Sequence, residues 1–163
     1  MSADPFPVDA LQELLGTITS GVCLYRVENQ GASGSDYRII YFNRYALIHE
    51  GRTMEEIRGL SLKDLRPTID DYGLIDVFRK VWITGEPGYF PAKIYTDDKY
   101  ANWYENRIFK VSEDLIVAVY DDVTERESAR ETLRGYIENA PYGFFLADPR
   151  GRYIDVNRQA ELI

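Results

Sequence analysis

The feature that most constrains this chain is an internal repeat between its beginning and its end. Two pairs of segments align: 21–25 (GVCLY) with 143–147 (GFFLA), and 38–44 (RIIYFNR) with 152–158 (RYIDVNR). Gly21 precedes Asn43 by 22 positions, whereas Gly143 precedes Asn157 by 14, so the copies differ by 8 residues. This difference falls in a Gly/Ser-rich loop, where insertions are tolerated. The repeat predicts one domain followed by the opening of a second domain of the same kind.

The rest of the first copy contains two kinds of segment, one with the residue pattern of strands and one with the apolar spacing of helices. Strand-like runs rich in aromatic and branched residues occur at 22–27, 37–43, 89–96, 101–111 and 115–121. Over residues 44–85 the apolar residues recur at helical spacing, and the clearest predicted helix lies between Asp71 and Thr84. An amphipathic helix is predicted over 9–20, where leucines recur at three- and four-residue spacing. Strands on either side of a helical insert predict an α+β fold, an antiparallel sheet with its helices on one face.

A linker helix is predicted directly after the last strand, over 123–140. Thr124 and Glu127 have the spacing of a capping box, which starts a helix. Apolar residues such as Ala129, Leu133 and Ala140 then follow at helical spacing. They suit a contact between two helices but extend over too few heptads to predict a coiled coil.

Composition argues against several classes of partner. The net charge of −8, from 27 acidic and 19 basic residues, repels nucleic acid and anionic membrane surfaces. The single cysteine, Cys23, cannot form an internal disulfide, and no cluster of cysteines and histidines offers a metal site. No stretch has the length and apolar character of a membrane span. We therefore expect a cytoplasmic fragment without nucleic-acid or membrane contact, although the parent protein could be membrane-anchored elsewhere.

The second copy resembles the start of a PAS domain. Its motifs are Ile137-Glu138-Asn139-Ala140-Pro141-Tyr142-Gly143, Ala147-Asp148-Pro149-Arg150-Gly151-Arg152-Tyr153 and Val156-Asn157. Two segments of the first copy are similar to the last strands and exit of such domains, especially those of microbial sensor histidine kinases: Trp103-Tyr104-Glu105-Asn106-Arg107 and Asp122-Val123-Thr124-Glu125-Arg126. The first copy departs from the pattern at Arg26, where the second has Asp148.

This resemblance implies a fold and an organisation for the whole chain. The fold is a PAS-like five-stranded antiparallel sheet with short helices on one face, flanked by N-terminal and C-terminal helices. The organisation is a disordered or extended N-terminus at 1–8, a helix at 9–20, a complete PAS domain at 21–122, a helical linker at 123–140 and a truncated second PAS domain at 141–163. The implied context is a tandem PAS region of a two-component sensor histidine kinase or a related signalling protein.

The positions of the cysteine and the histidine argue against flavin photochemistry, haem binding and nucleophilic catalysis. Flavin photosensors of this family use a cysteine in the central helices, whereas Cys23 lies in the first strand. Haem-binding members use an axial histidine on the long helix, whereas His49, the only histidine, lies near the end of an earlier helix. One histidine also gives poor support for a nucleophile and base pair. We predict no catalytic and no metal-binding residues, and the cofactor stays unassigned.

The resemblance implies a pocket between the sheet and the helices. Strand alternation in the family register gives the inward-facing set Cys23, Tyr25, Glu105, Arg107, Phe109, Ala118 and Tyr120. From this set we select Cys23, Tyr25, Arg107 and Tyr120 as candidate pocket-lining residues. An inward Arg107 would require a carboxylate partner, such as Glu105, or an anionic ligand. The alternative is a core packed solid with tyrosines, without a pocket.

The sequence also predicts how a signal would leave the domain. The last strand runs directly into Asp122 and Thr124, so a change of packing around Tyr120 would move the linker helix. Alternatively, these two residues only end a strand and start a helix. The apolar faces of helix 9–20 and of the linker predict a homodimer, or else they cover their own sheet.

These expectations favour a sensory or signal-relay module that is not itself an enzyme. It would bind a small molecule or a partner, and further PAS and output domains would follow in the parent chain. The alternatives are a ligand-free dimerisation or spacer module, or a small α+β enzyme.

Overall fold

The computed structural model describes residues 8–162, which fall into two compact units. The first unit ends at Val123 and the second begins at Thr124. The N-terminal segment predicted at 1–8 lies, apart from Val8, outside the described residues.

A five-stranded antiparallel sheet forms the centre of the first unit. Its strands are β1 (Gly21–Val27), β2 (Tyr37–Phe42), β3 (Gly88–Thr96), β4 (Ala101–Lys110) and β5 (Leu115–Asp122). Their order across the sheet is β2-β1-β5-β4-β3, so the first and last strands are neighbours at its centre. The predicted α+β class and five-stranded antiparallel sheet are confirmed.

Within residues 8–123, six α-helices complete the first unit: α1 (Val8–Thr17), α2 (Arg44–Glu50), α3 (Met54–Ile57), α4 (Leu62–Leu65), α5 (Ile69–Tyr72) and α6 (Leu74–Thr84). Two short 3-10 turns lie at Asn29–Gly31 and Gly34–Asp36. The prediction of a single helix between Asp71 and Thr84 is wrong in one respect, because the helical conformation is interrupted at Gly73. Gly73 has a φ of +92°, a left-handed conformation that glycine adopts without a steric penalty and that ends α5 before α6 begins.

Side-chain caps hold the short helices in place. Helices of four to seven residues are unstable in isolation, so local hydrogen bonds and burial must supply their stability. The side chains of Asn43, Thr53 and Ser61 accept hydrogen bonds from the first turns of α2, α3 and α4. Ile57 and Leu62 are buried, which anchors α3 and α4 to the core.

The core of the first unit lies between one face of the sheet and helices α2–α6, and it is rich in tyrosine. Cys23 and Tyr25 on β1 are buried with Phe78 of α6. The rings of Tyr37 and Phe78 meet edge to face, with centroids 5.2 Å apart. Tyrosines suit this core because their hydroxyl groups find polar partners at its edges; the hydroxyl of Tyr37, for example, donates to the Gly31 carbonyl at 2.9 Å.

The second unit consists of one helix and one hairpin. Helix α7 spans Thr124–Glu138, and strands β6 (Phe145–Ala147) and β7 (Tyr153–Val156) pair antiparallel. A short 3-10 turn follows at Ala160–Leu162. Over residues 8–162, no helix combines the length and the apolar character needed to span a bilayer.

Candidate functional site

A small internal cavity lies in the first unit between the sheet and the helices, with a volume of about 60 Å³. Its lining comes from all five strands and from helices α2, α4, α5 and α6 or the residues beside them: Cys23, Tyr25, Phe42, Glu50, Leu62, Leu65, Arg66, Ile69, Tyr72, Leu74, Phe78, Tyr95, Tyr104, Asn106, Ala118 and Tyr120. Three of the four predicted pocket residues, Cys23, Tyr25 and Tyr120, therefore line it. The cavity is several times smaller than the roughly 300–1,000 Å³ of pockets that hold drug-sized ligands.

Arg107, the fourth predicted pocket residue, faces away from the cavity. Its side chain is 52% exposed, and its Nη1 lies 3.5 Å from Oδ2 of Asp121. The prediction of an inward Arg107 was wrong because the alternation assigned to β4 was displaced by one residue. Asn106 pairs with Tyr120 across β4 and β5, which directs Asn106 inward and leaves Glu105 and Arg107 on the other face.

Tyr120 is the cavity residue whose polar group lacks a protein partner. Its hydroxyl is buried and has no hydrogen-bond partner among the described residues. Burial raises the pKa of this hydroxyl well above its ordinary value, so it stays protonated and available as a donor. The ring packs over Gly21, its cross-strand partner on β1, where a Cβ would overlap it. A glycine at position 21 is therefore required for Tyr120 to occupy this place.

A buried ion pair lines the same cavity. Nη1 and Nη2 of Arg66 donate to the two carboxylate oxygens of Glu50, at 3.0 and 2.5 Å. The side chains are only 11% and 6% exposed, so neither charge is solvated by bulk water. The guanidinium also stacks over the ring of Tyr100, 4.0 Å from its centroid, and Nη1 donates to the Leu65 carbonyl. The sequence did not single out this pair, because its members lie 16 residues apart in separate short helical segments.

Cys23 and Tyr25 lie next to each other on the inward face of β1. Both are buried, and burial raises the pKa of both groups. The thiol is therefore held in its neutral form, which suits a packing residue more than a nucleophile.

His49 belongs to an aromatic cluster beside the cavity. Its Nε2 lies 2.6 Å from the hydroxyl of Tyr104, and its ring stacks on Tyr100 with centroids 5.8 Å apart. Burial lowers the pKa of His49. The residue lies in the last turn of α2 and is half-buried, which agrees with its predicted position near the end of a helix.

Asn43 and Asn157, the paired asparagines of the repeat, make the same set of hydrogen bonds in their own units. Oδ1 of Asn43 accepts from the amides of Val22 and Ala46, while Nδ2 donates to the carbonyls of Leu15 and Ser20. The corresponding partners of Asn157 are Phe144, Ala160, Ile137 and Tyr142. We call each set an asparagine node; both asparagines are almost completely buried.

The two nodes show that the repeat is structural. Along the chain, each partner that precedes Asn43 is 8 residues farther from it than the corresponding partner is from Asn157. The same difference of 8 residues separates the two copies of the repeat in the sequence. By this correspondence, the end of α1 is equivalent to the end of α7, since Leu15 matches Ile137.

The predicted signal junction follows β5 without a gap. Asn102 Nδ2 donates to Asp122 at 3.0 Å, and the amide of Val123 donates to the Trp103 carbonyl at 2.9 Å. Helix α7 begins at Thr124, directly after these contacts. Within residues 8–162, no group of three or more histidine, cysteine, aspartate or glutamate side chains is placed to hold a metal ion.

Known structures share this architecture. A domain of a sensory box sensor histidine kinase/response regulator from Geobacter sulfurreducens superimposes with a TM-score of 0.52 at 16% identity, over 70% of this chain and 92% of that domain. A PAS domain from Colwellia psychrerythraea superimposes with a TM-score of 0.56 at 13% identity, over 73% and 98%. The first unit has the PAS fold.

Two further comparisons extend this result. An RNA-binding light-oxygen-voltage receptor gives a TM-score of 0.60 at 15% identity over 83% of this chain, which spans only 39% of that receptor. A family model of the PAS domain matches residues 131–163, the segment that contains the second asparagine node. The PAS resemblance of the second copy is therefore supported independently of the first. No curated protein is significantly similar in sequence to the chain.

Proposed function

We propose that this chain is a sensory module of a signal-transduction protein, in which a PAS domain binds a small molecule and passes the change through β5 into helix α7. The observation that carries the proposal is the Tyr120 hydroxyl, a buried donor on β5 without a protein partner, at a cavity. A ligand that accepts this hydrogen bond would satisfy a group whose burial is otherwise costly.

The position of Tyr120 supports a relay. It lies four residues before Thr124, the first residue of α7, on the strand at the centre of the sheet. A change in the packing of its ring would act on the end of β5, and through Asp122 on the start of the helix. Coupling free energies between sites in proteins are typically about 1–3 kcal/mol, which one hydrogen bond and its packing can supply.

The repeat supports a tandem arrangement in the parent protein. Because α7 is linked to the second copy as α1 is linked to the first, we propose that residues 141–163 open a second PAS domain. A histidine kinase or another output domain would then make the response, and the module itself carries no catalytic step. The name of the Geobacter relative, a sensor histidine kinase/response regulator, favours this context. The acidic composition and the free Cys23 suit a cytoplasmic location.

Native mass spectrometry of the full chain, with and without the substitution Ala118→Phe, tests ligand binding. Ala118 lines the cavity and is 3% exposed, so a phenylalanine there would fill the space. We expect a small-molecule adduct on the wild-type protein that Ala118→Phe loses. Hydrogen exchange along Thr124–Glu138 should differ between the bound protein and the filled variant. If both proteins lack an adduct and exchange in α7 at the same rate, the sensory proposal is refuted.

A second candidate, a dimerisation module, is favoured by exposed apolar side chains on the flanking helices. Leu11 and Leu14 of α1 are 46% and 54% exposed, and Leu133 and Tyr136 of α7 are 59% and 72% exposed. Helix faces of this kind often mark interaction surfaces. Light scattering should then show a homodimer that Leu11→Glu and Leu133→Glu weaken, and a strict monomer at high concentration would remove this candidate.

A further inference from the structure

The charges on the cavity lining cancel. Among the lining residues within 8–162, Glu50 and Arg66 are the ones that carry charge at neutral pH, and they neutralise each other through two hydrogen bonds. The guanidinium makes a further bond to a backbone carbonyl and stacks on Tyr100. An ionic ligand would therefore bring an uncompensated charge into a buried space, which is strongly unfavourable.

The hydrogen-bonding groups of the lining differ in their availability. The hydroxyl of Tyr104 is paired with His49, and that of Tyr72 donates to the Lys93 carbonyl at 3.0 Å. The hydroxyl of Tyr120 has no partner among the described residues, and it is protonated and can donate. Asn106 lies directly across from Tyr120 in the β4–β5 register, and its carboxamide can both donate and accept. Beside the paired charges of Glu50 and Arg66, the lining thus offers a ligand the Tyr120 hydroxyl as a donor and the Asn106 carboxamide as a donor or an acceptor.

The size of the cavity limits the ligand further. A volume of about 60 Å³ has room for several water molecules but not for a drug-sized ligand. Without expansion of the core, the space admits only a molecule of a few non-hydrogen atoms.

We infer that the cavity selects a small uncharged molecule, of the size of a short ketone, aldehyde or amide, that accepts a hydrogen bond from Tyr120. This inference rests on the proposed ligand-binding function and adds the chemical class of the ligand. The Glu50–Arg66 pair excludes ionic ligands, and the Tyr120 hydroxyl selects ligands that accept a hydrogen bond.

Acetone and acetate provide a matched pair of probes. Both are planar and have four non-hydrogen atoms, but only acetate is charged. Nuclear magnetic resonance titrations of the full chain would follow the signals of Ala118 and Tyr120. We expect acetone to shift these signals with a Kd no tighter than about 40 μM, the ceiling for a ligand of this size, and acetate to leave them unchanged.

Two variants assign the roles of the side chains. Tyr120→Phe removes only the hydroxyl and should weaken acetone binding by about two- to tenfold, while xenon, an apolar probe, should bind both proteins equally. Glu50→Gln leaves Arg66 without its counter-charge and should create acetate binding. The Tyr120 comparison and the wild-type titrations remain informative if Glu50→Gln does not fold.

The outcomes separate this inference from the function on which it depends. Equal affinity for acetate and acetone, or an unchanged acetone affinity in Tyr120→Phe, would overturn the selectivity argument and leave ligand binding in place. If xenon, acetone and acetate all fail to shift the cavity signals, ligand entry itself is refuted.

Discussion

Substituting Asn43 with alanine should strongly destabilise the first unit, because one buried side chain makes four hydrogen bonds there. Each of these bonds is 3.0 Å long, and the residue is 0% exposed. Alanine leaves two amides and two carbonyls without partners. At a net value of about 1 kcal/mol per bond, the expected loss is about 4 kcal/mol, a large part of the roughly 5–15 kcal/mol that stabilises a typical domain.

Urea unfolding followed by tryptophan fluorescence measures this loss in the full chain. The chain contains two tryptophans, Trp82 and Trp103, and both lie in the first unit. With a urea dependence of about 1.5 kcal/mol/M, a loss of about 4 kcal/mol would lower the midpoint by roughly 2–3 M.

Asn157→Ala is the matched control, because it removes the same four hydrogen bonds from the second unit. It should shift the tryptophan-monitored midpoint far less than Asn43→Ala does. The reasoning is refuted if Asn43→Ala shifts the midpoint by less than about 0.5 M, or if the two substitutions shift it equally.

Three further predictions concern the cavity and its surroundings. Gly21→Ala should displace the Tyr120 ring and cost about 1–3 kcal/mol in urea unfolding; an unchanged midpoint would contradict the close packing of the two residues. The lowered pKa of His49 means that the unfolded state binds its proton more readily, so its contribution to stability is present above about pH 6.5 and is lost as the pH falls. The melting temperature should therefore fall less between pH 7 and pH 5 in His49→Gln than in the wild type, and parallel curves would exclude this contribution. Arg66→Met should cost about 3–5 kcal/mol, because it leaves the Glu50 carboxylate buried without its counter-charge, with only the Tyr100 hydroxyl, among residues 8–162, as a donor at 3.2 Å. Adding Glu50→Gln should recover most of this loss, and simply additive losses in the double variant would contradict the coupling of the two charges.

Most of the secondary structure of the first unit could be predicted from the sequence. The strands were recognisable because aromatic and β-branched residues cluster between turn-forming residues, and α1 because its leucines recur at helical spacing. The break at Gly73 was missed because the apolar stripe of α6 extends the helical pattern across it. Glycine inside a helical pattern is a weak stop signal until its left-handed conformation is known.

The inward face of β4 could not be predicted from alternation alone. Aromatic and polar residues occupy both faces of this strand, with Trp103 and Arg107 on one side and Tyr104 and Asn106 on the other. Neither the odd-numbered nor the even-numbered residues of β4 are clearly apolar, so strand alternation does not show which face points inward. Pairing with β5 decides it, because Ala118 and Tyr120 face inward and fix the residues opposite them.

The Glu50–Arg66 pair shows a different limit of sequence reading. Its members approach each other only after several short helices have packed, and neither belongs to a recognisable motif. The sequence aligns the asparagines of the repeat, but their hydrogen bonds form only in the folded chain, with partners that are distant in sequence. The signal that pointed to them was the repeat itself.

The equivalence of Leu15 and Ile137 gives helix α7 two roles along the chain. It continues from the last strand of one domain, and its far end is held by the node that opens the next copy. At 1.5 Å per residue, its 15 residues have a length of about 22 Å. The segment from Leu15 to Ile137 therefore spans one interval of the repeat, from one node-bound helix end to the next. A deletion of this whole interval would join α1 to the second copy and keep the hydrogen bonds of Asn157 to a helix end. A deletion of only part of it would leave a helix end without its asparagine.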